Sequence, residues 1–237
     1  MDRPLPWPLR SLPSPEERRR TCGTLGADGS GGVGGFTDSG RVVAGRVFTP
    51  VARVLLRLGV SPDAVTVVGT VGTAVAALYF FPRGDLLVGT LVICLFVFSD
   101  SLDGTMARLA GRPSTWGAFL DSTLDRVADA AIVCGLALWY AGDGDDLTMA
   151  AVTLAALVGG LLVSYARARA EGLGADASTG IAERTERLVL TLAAAGLSGI
   201  FDAPWILQAG LIIVAALAWV TVLQRIWAVR SQLLVRG

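Results

Sequence analysis

Six apolar segments, separated by short polar connections, occupy most of the chain after residue 60. Each is long enough to cross, or nearly cross, the hydrocarbon core of a bilayer, which takes about 20 residues of helix. Backbone polar groups in lipid must be paired within their own segment, so the pattern predicts a bundle of helices. The fifth segment is short, and we expect its helix to begin near Glu183. The six segments are Val65–Phe81, Leu86–Leu109, Thr115–Tyr140, Leu147–Ala170, Leu188–Ile200 and Pro204–Trp227.

The part of the chain before these segments divides in two. Residues 1–40 are rich in Pro, Gly, Ser and Arg, and such a composition predicts a disordered cytoplasmic tail. Between Arg41 and Val60, valines and leucines alternate with arginines, which is typical of an amphipathic helix lying in the membrane interface. The predicted fold class is therefore all-α. It is a polytopic membrane domain over residues 41–237, with an interfacial helix at 41–60 and six transmembrane helices within 65–227, surrounded by membrane lipids.

Charge is distributed unevenly between the two sets of connections. All 20 basic residues are arginine, so histidine and lysine chemistry are excluded and carboxylates must supply any general base. The net charge is zero and so gives no information about partners. We expect no nucleic-acid partner. The positive-inside rule predicts a multi-pass protein of a bacterial cell membrane with both termini in the cytoplasm. One side carries Arg108, Arg112, Arg167, Arg169, Arg184, Arg187, Arg225, Arg230 and Arg236, and the other carries Arg83 with Asp85, Asp143, Asp145, Asp146 and Asp202.

Four aspartates lie at helical spacing in the second and third apolar segments. Asp100 and Asp103 are three residues apart and Asp121 and Asp125 four, so each pair lies on one face of its helix. Charges inside a membrane are expensive, and two facing acidic pairs repel each other unless a cation lies between them. Divalent metal ions are the simplest such cations, and two of them would suit phosphoryl chemistry. Asp129 continues the Asp121–Asp125 face, and we expect it to pair with a neighbouring helix or to be neutral.

The depths of the two pairs agree. Asp100 lies fourteen residues after Leu86, about 21 Å along a helix, which leaves about 9 Å to the cytoplasmic edge of the core. Asp121 lies six residues after Thr115, also about 9 Å deep. A short connection makes the two helices antiparallel neighbours, so the sequence predicts one shared metal site in the cytoplasmic half.

The same residues form a recognisable motif. The run Asp-x-x-Asp-Gly-x-x-Ala-Arg, eight further residues, and Gly-x-x-x-Asp-x-x-x-Asp resembles the signature of the CDP-alcohol phosphotransferase family. The resemblance implies a six-span membrane enzyme, a homodimer, and two Mg²⁺ ions, or Mn²⁺, held by the four aspartates. The fixed positions are Asp100, Asp103, Gly104, Ala107, Arg108, Gly117, Asp121 and Asp125.

Other segments resemble one branch of that family, the actinobacterial phosphatidylinositol phosphate synthases. They are Gly59–Thr66, Tyr165–Glu171 and Ile181–Arg187, and the likeness extends over roughly residues 49–230. The resemblance implies transfer of a phosphatidyl group from CDP-diacylglycerol to inositol phosphate, with release of CMP. One departure is Arg167, where these synthases often carry lysine. Positive charge is kept, but the shape of the pocket could differ.

The resemblance also implies roles for single residues. CDP-diacylglycerol would contact Asp63, Ala64, Val65, Thr66, Gly104, Arg108 and Ser114, and inositol phosphate would contact Arg167, Arg169, Arg187 and Arg225. Arginine suits bidentate phosphate recognition. For Arg184 and Arg187, ion pairs with Glu183 and Glu186 are a competing interpretation. Asp125 would accept the proton of the inositol hydroxyl, since it is the deepest aspartate of the motif and desolvation raises proton affinity.

Three alternatives remain. A phosphatidylglycerophosphate synthase shares the signature and takes glycerol 3-phosphate as acceptor. An ion-coupled transporter also uses intramembrane carboxylates, but such sites lie at the midplane between repeats, and no repeat is visible here. A prenyltransferase with aspartate-rich motifs would need more spans and gives no reason for Gly104 and Arg108.

Overall fold

The computed structural model describes residues 49–109 and 114–236, and every regular element within them is a helix. Of residues 99–104, 107, 108, 235 and 236 it describes the backbone alone. The predicted tail at 1–40 and the first part of the predicted interfacial helix, 41–48, lie outside the described residues. The helices are α1 (49–57), α2 (Pro62–Phe80), α3 (Leu86–Leu109), α4 (Thr115–Ala141), α5 (Leu147–Gly172), α6 (Arg184–Phe201) and α7 (Pro204–Arg236), with a 3₁₀ turn at Phe81–Arg83 after α2.

The all-α prediction is confirmed for the described residues, and each predicted apolar segment corresponds to one helix. The expected early start of the fifth segment is confirmed, because α6 begins at Arg184. A capping box explains that start: Glu186 accepts a hydrogen bond from the backbone N–H of Glu183, and the Glu183 side chain accepts one in return. Ser61 caps α2 in a similar way, by accepting from the N–H of Ala64 at 3.2 Å.

Three of the described helical stretches are long and apolar enough to cross a membrane: Pro62–Arg83, Leu147–Gly172 and Pro204–Leu234. Helix α3 contributes a shorter apolar stretch, Leu86–Phe98, before its aspartates begin. The distribution of residue sizes supports an apolar environment. Alanine and threonine make up much of the buried set, whereas many large aliphatic side chains of α2, α3 and α7 are exposed. Small residues inside and large apolar residues outside are typical of helices packed in lipid.

The chain runs back and forth between two ends. Helices α3, α5 and α7 finish at one end, which we call the motif end, and α2, α4 and α6 begin there. Helix α2 packs against α3 and α4, α5 packs against α4 and α7, and α6 packs against α3 and α7. Glycines allow some of these contacts to be very close. A Cβ built on Gly135 of α4 would lie only 2.5 Å from the carbonyl oxygen of Ala77 on α2.

This contact gives a test of the packing. Gly135→Ala should destabilise the protein by about 1–3 kcal/mol, because the clashing atom belongs to the backbone of α2 and cannot move alone. Gly172→Ala is the matched control, since a Cβ there meets no atom within 4 Å. Thermal unfolding in detergent would compare the two. Equal melting temperatures for both variants would contradict the close approach of α2 and α4.

Candidate active site

The amino-terminal half of α4 carries the second half of the motif. Ser114 is the N-cap of this helix, and its hydroxyl accepts a hydrogen bond of 2.9 Å from the N–H of Gly117. From that cap, the 3.6-residue period places Asp121, Asp125 and Asp129 on one face, and all three are partly buried. Ser114 was predicted to contact CDP-diacylglycerol. In the structure its hydroxyl also caps α4 and so defines where this helix begins.

The start of α2 lies against the start of α4. A Cβ built on Gly117 would lie 3.7 Å from Oδ1 of Asp63 and 3.0 Å from Oγ of Ser114. Thr66, one turn after Asp63, is buried, and its hydroxyl donates to the carbonyl of Pro62 at 3.2 Å. The structure therefore brings the predicted CDP-diacylglycerol segment, Asp63–Thr66, next to Ser114 and to the glycine of the motif.

The first half of the motif lies in the last turns of α3. Asp100, Asp103, Gly104 and Arg108 are all helical, but their side chains are not among those described. Helices α3 and α4 both pack against α2. Among the described side chains there is no group of three or more possible metal ligands, and two of the four predicted ligands fall outside that set. The four-aspartate site stays a prediction.

A cluster of ion pairs joins α4 to α6. Nη1 of Arg184 lies 2.9 Å from Oδ2 of Asp125, and Nε of the same guanidinium lies 3.0 Å from Oδ2 of Asp129. Nη1 of Arg126 lies 3.7 Å from Oδ2 of Asp125. The expected pairing of Asp129 with a neighbouring helix is thereby confirmed. Glu186, which the sequence offered as a competing partner for Arg184, caps α6 instead.

The donor set fits divalent metal ions. Carboxylate oxygens are the ligands that Mg²⁺ and Mn²⁺ prefer. Asp121 and Asp125 project from one helix face, and the Asp125 side chain is 18% exposed. Its carboxylate already has cationic groups beside it, as a buried charge requires. The residues present therefore match hard divalent cations.

A large cavity at the motif end lies beside this cluster. Its volume is about 800 Å³, and we call it the arginine cavity because five arginines line it together with Glu171 and Glu183. Three of the four arginines predicted to hold inositol phosphate are among them. Arg169 is not, since it lines a separate apolar groove between α5 and α7. The lining arginines are Arg126, Arg167, Arg184, Arg187 and Arg225.

Two of these arginines also hold the connection between α5 and α6. Arg225 is 3% exposed; its Nε donates to the carbonyl of Thr179 at 3.1 Å and its Nη1 to that of Val163 at 2.6 Å. Arg187 is 8% exposed and donates from Nη1 to the carbonyl of Ala182 at 2.7 Å. A guanidinium has five N–H donors, so each can hold backbone carbonyls and still face the cavity.

Arg167 has a different environment. Its side chain is 52% exposed, and its Nε pairs with Glu171 one turn along α5 at 3.0 Å. An exposed pair of this kind contributes at most about 1 kcal/mol. Arg167 can therefore exchange Glu171 for a ligand in the cavity at little cost in stability.

Arg126 was missed in the sequence prediction. It follows Asp125 directly, touches that carboxylate, and lines both the arginine cavity and a small cavity of about 50 Å³ beside Asp129. A signal existed in the sequence. An arginine deep in an apolar helix is costly and therefore marks a functional or paired position.

Residues 59–231 match the CDP-alcohol phosphatidyltransferase family. The chain belongs to that family. It is 54% identical to a phosphatidylinositol phosphate synthase of Streptomyces avermitilis over 193 residues, which cover 79% of each chain. It is 51% identical to the synthase of that name from Cutibacterium acnes over 155 residues, 65% of this chain and 75% of the relative.

Solved structures agree with the sequence relatives. The crystal structure of Mycobacterium tuberculosis phosphatidylinositol phosphate synthase with CDP-DAG bound is 42% identical and has a TM-score of 0.75. The match covers 78% of this chain and 94% of that one. The structure of the same enzyme in complex with manganese and citrate is 41% identical, with a TM-score of 0.74 and coverage of 77% and 88%. The family assignment makes this chain a metal-dependent phosphatidyltransferase.

The metal prediction can be tested by measuring metal binding directly, in addition to turnover. Asp121→Asn should weaken Mn²⁺ binding and lower turnover by more than about 100-fold, since even changes to residues behind metal ligands cost 10–100-fold. Electron paramagnetic resonance would count the bound Mn²⁺. Asp143→Asn is the matched control, because Asp143 is an exposed carboxylate in the connection at the opposite end. Full Mn²⁺ binding by Asp121→Asn would exclude this residue as a ligand.

Proposed function

We propose that this chain is a phosphatidylinositol phosphate synthase. It would transfer the phosphatidyl group of CDP-diacylglycerol to 1D-myo-inositol 3-phosphate, the same compound as L-myo-inositol 1-phosphate, with release of CMP in phospholipid synthesis. One observation carries this choice of acceptor. Arg126 and Arg184 line the arginine cavity, and both form ion pairs with the carboxylate of Asp125, which does not itself line the cavity. An anionic polyol held there would have its hydroxyls close to a base.

The nucleotide-lipid would bind where α2 and α4 begin. Asp63, Thr66 and Ser114 converge there, and Gly117 leaves the space that a side chain would fill. Arg108, in the last turn of α3, would add a positive charge for the pyrophosphate. The Mycobacterium tuberculosis relative, whose structure has CDP-DAG bound, supports this assignment.

The acceptor would bind in the arginine cavity. Arg187 and Arg225 are rigid, because each is buried and anchored to backbone carbonyls, so their remaining N–H groups present fixed donors to a phosphate. Arg167 is exposed and can move toward the ligand. Placing the phosphate at one end of the cavity leaves the ring hydroxyls to approach Asp125. Arg169, in its separate groove, has no part in this proposal.

In the reaction, a hydroxyl oxygen of inositol phosphate attacks the diacylglycerol-side phosphorus. The bond from that phosphorus to the bridging pyrophosphate oxygen breaks, CMP leaves, and Asp125 accepts the hydroxyl proton. Two Mg²⁺ or Mn²⁺ ions held by Asp100, Asp103, Asp121 and Asp125 would supply charge neutralisation for the pyrophosphate and the leaving CMP. The chain's own contribution is to hold both substrates and the base in place.

We further propose six membrane spans, with the motif end and both termini in the cytoplasm, and a homodimer. Apart from Arg83, the described arginines of the connections gather at the motif end, while Asp85, Asp143, Asp145 and Asp202 lie at the opposite end. The positive-inside rule then assigns the motif end to the cytoplasm, where CDP-diacylglycerol headgroups and soluble inositol phosphate can meet.

The experiment that tests the function is CMP release by purified protein in detergent. Inositol phosphate, inositol, glycerol 3-phosphate and glycerol would be offered separately with CDP-diacylglycerol and Mg²⁺ or Mn²⁺. CMP release with inositol phosphate, and with none of the other three acceptors, would support the proposal. Preference for glycerol 3-phosphate would reassign the chain to the phosphatidylglycerophosphate synthases, and no CMP release with any acceptor would refute the transferase assignment of this site.

Arg167→Gln tests the acceptor pocket. It should raise the apparent KM for inositol phosphate about tenfold, the value of a lost charge-assisted hydrogen bond, and leave that for CDP-diacylglycerol unchanged. The melting temperature should be unchanged, since the ion pair between Arg167 and Glu171 is exposed and contributes little to stability. Glu171→Gln is the control, because it removes the same ion pair but keeps Arg167. If the two variants behave alike, Arg167 has no role in acceptor binding.

Asp125→Asn tests the base. Turnover should be lost while CMP still binds in the presence of Mg²⁺, because the proton acceptor is needed only for the incoming hydroxyl. Calorimetry of CMP binding to wild type and variant would measure this. Loss of CMP binding together with turnover would show that Asp125 serves mainly as a metal ligand.

A further inference from the structure

The ion pairs between α4 and α6 include a residue that the family motif does not contain. Asp129 lies one helical turn beyond Asp125 and does not line the arginine cavity, yet its Oδ2 lies 3.0 Å from Nε of Arg184. The other nitrogen used by this guanidinium, Nη1, lies 2.9 Å from Asp125. Arg184 therefore spans two carboxylates of α4 with two different edges of one planar group.

This arrangement restricts the orientation of Asp125. A guanidinium that forms a single ion pair can still rotate about that contact. A guanidinium that also bonds a second carboxylate through Nε has a defined plane. Asp129, Arg184 and Asp125 are each only 18% to 26% exposed in their side chains, so water competes weakly for these bonds. The capping box at Glu183 and Glu186 fixes the first turn of α6, from which Arg184 extends.

The Asp129 carboxylate forms its ion pair with Arg184 through one oxygen only. Its second oxygen, Oδ1, is buried and has no hydrogen-bond partner among the described residues, so Arg184 is the ion-pair partner recorded for this carboxylate. A small cavity of about 50 Å³ lies beside the pair, and its lining combines Asp129 and Arg184 with apolar side chains such as Leu188. Burying such a carboxylate is costly and needs a compensating function or partner.

We propose that Asp129 and Arg184 are positioning residues for phosphatidyl transfer. Asp129 holds the Arg184 guanidinium, and Arg184, which lines the arginine cavity, holds the Asp125 carboxylate in place. The inference rests on the proposed function in that Asp125 is the proton acceptor, but it does not depend on which phosphorylated polyol is the acceptor.

Asp129→Asn is the decisive variant, because Asn keeps the shape and loses the charge of a residue outside the arginine cavity. We expect kcat to fall about 10–100-fold, the range found for residues that orient catalytic or metal-binding groups, with both KM values within about twofold of wild type. Arg83→Gln is the control for loss of one arginine or one charge, since Arg83 lies on the opposite end of the molecule, stacked on Tyr79. It should leave kcat unchanged.

A double variant separates positioning from folding. Asp129→Asn alone leaves Arg184 paired with Asp125, and Arg184→Gln alone removes a partner from both carboxylates, so either can lower stability. The double variant Asp129→Asn/Arg184→Gln removes both charges of the Asp129–Arg184 pair and leaves Asp125 beside Arg126, so its melting temperature should exceed that of Arg184→Gln. If the pair only stabilises the fold, kcat should recover with it. If it positions Asp125, kcat should stay at the level of the single variants.

Two further measurements complete the test, with whichever acceptor the wild-type enzyme uses. Arg184→Lys keeps the charge but not the planar fork, so kcat should stay low; full activity would overturn the geometric argument. Mn²⁺ counted by electron paramagnetic resonance should be the same for Asp129→Asn as for wild type. Loss of one ion would show that Asp129 is itself a metal ligand. A wild type without transferase activity would refute the proposed function, whereas normal kcat in Asp129→Asn would refute only this inference.

Discussion

Compensation of carboxylate charge inside an apolar bundle is the constraint on which the site depends. A charge near the centre of a membrane helix costs about 3 kcal/mol or more, so each aspartate of α4 needs a positive partner nearby. Arg184 meets that need for two of them, Asp125 and Asp129, by reaching from α6. This pairing explains why α6 carries charge in its first turn and why that turn lies against α4. Metal ions would meet the same need for the motif carboxylates.

Small residues allow these groups to come close enough to interact. Gly135 lets α4 approach the backbone of α2, and Gly117 lets the first turn of α4 lie beside Asp63. The interior is therefore built from alanine, glycine and threonine, while large aliphatic side chains face outward. In lipid the outward side chains cost nothing, so helices gain most from close van der Waals contact between small residues. The same close packing brings the start of α2 beside the start of α4, where we propose that the nucleotide-lipid binds.

The fold was largely predictable from the sequence, because apolar length and capping residues determine helix limits in a membrane protein. Helix α3, Leu86–Leu109, has the predicted limits, and Asp129 pairs with another helix as expected. The partner itself was not predictable, since Arg184 has nearby glutamates in sequence and the choice of Asp129 depends on where the fold places the first turn of α6. Arg167 and Arg169 show a different difficulty. Residues that are two positions apart on a helix project about 200° apart. Arg167 and Arg169 therefore face different sides of α5 and line different cavities, although the resemblance assigned both to one site.

The three arginines of the proposed acceptor pocket differ in how much of their side chain the fold itself uses. Arg187 and Arg225 donate to backbone carbonyls of the α5–α6 connection and also face the cavity, a combination that needs the several donors of a guanidinium. Arg167 is exposed, and the ion pair described for it is with Glu171 on the same helix. Lysine could therefore replace it without disturbing the fold. Lysine at Arg225 would instead leave the carbonyl of Thr179 or of Val163 without its donor. If these arginines bind the acceptor as proposed, its binding and the shape of the connection are inseparable at Arg187 and Arg225, and separable only at Arg167.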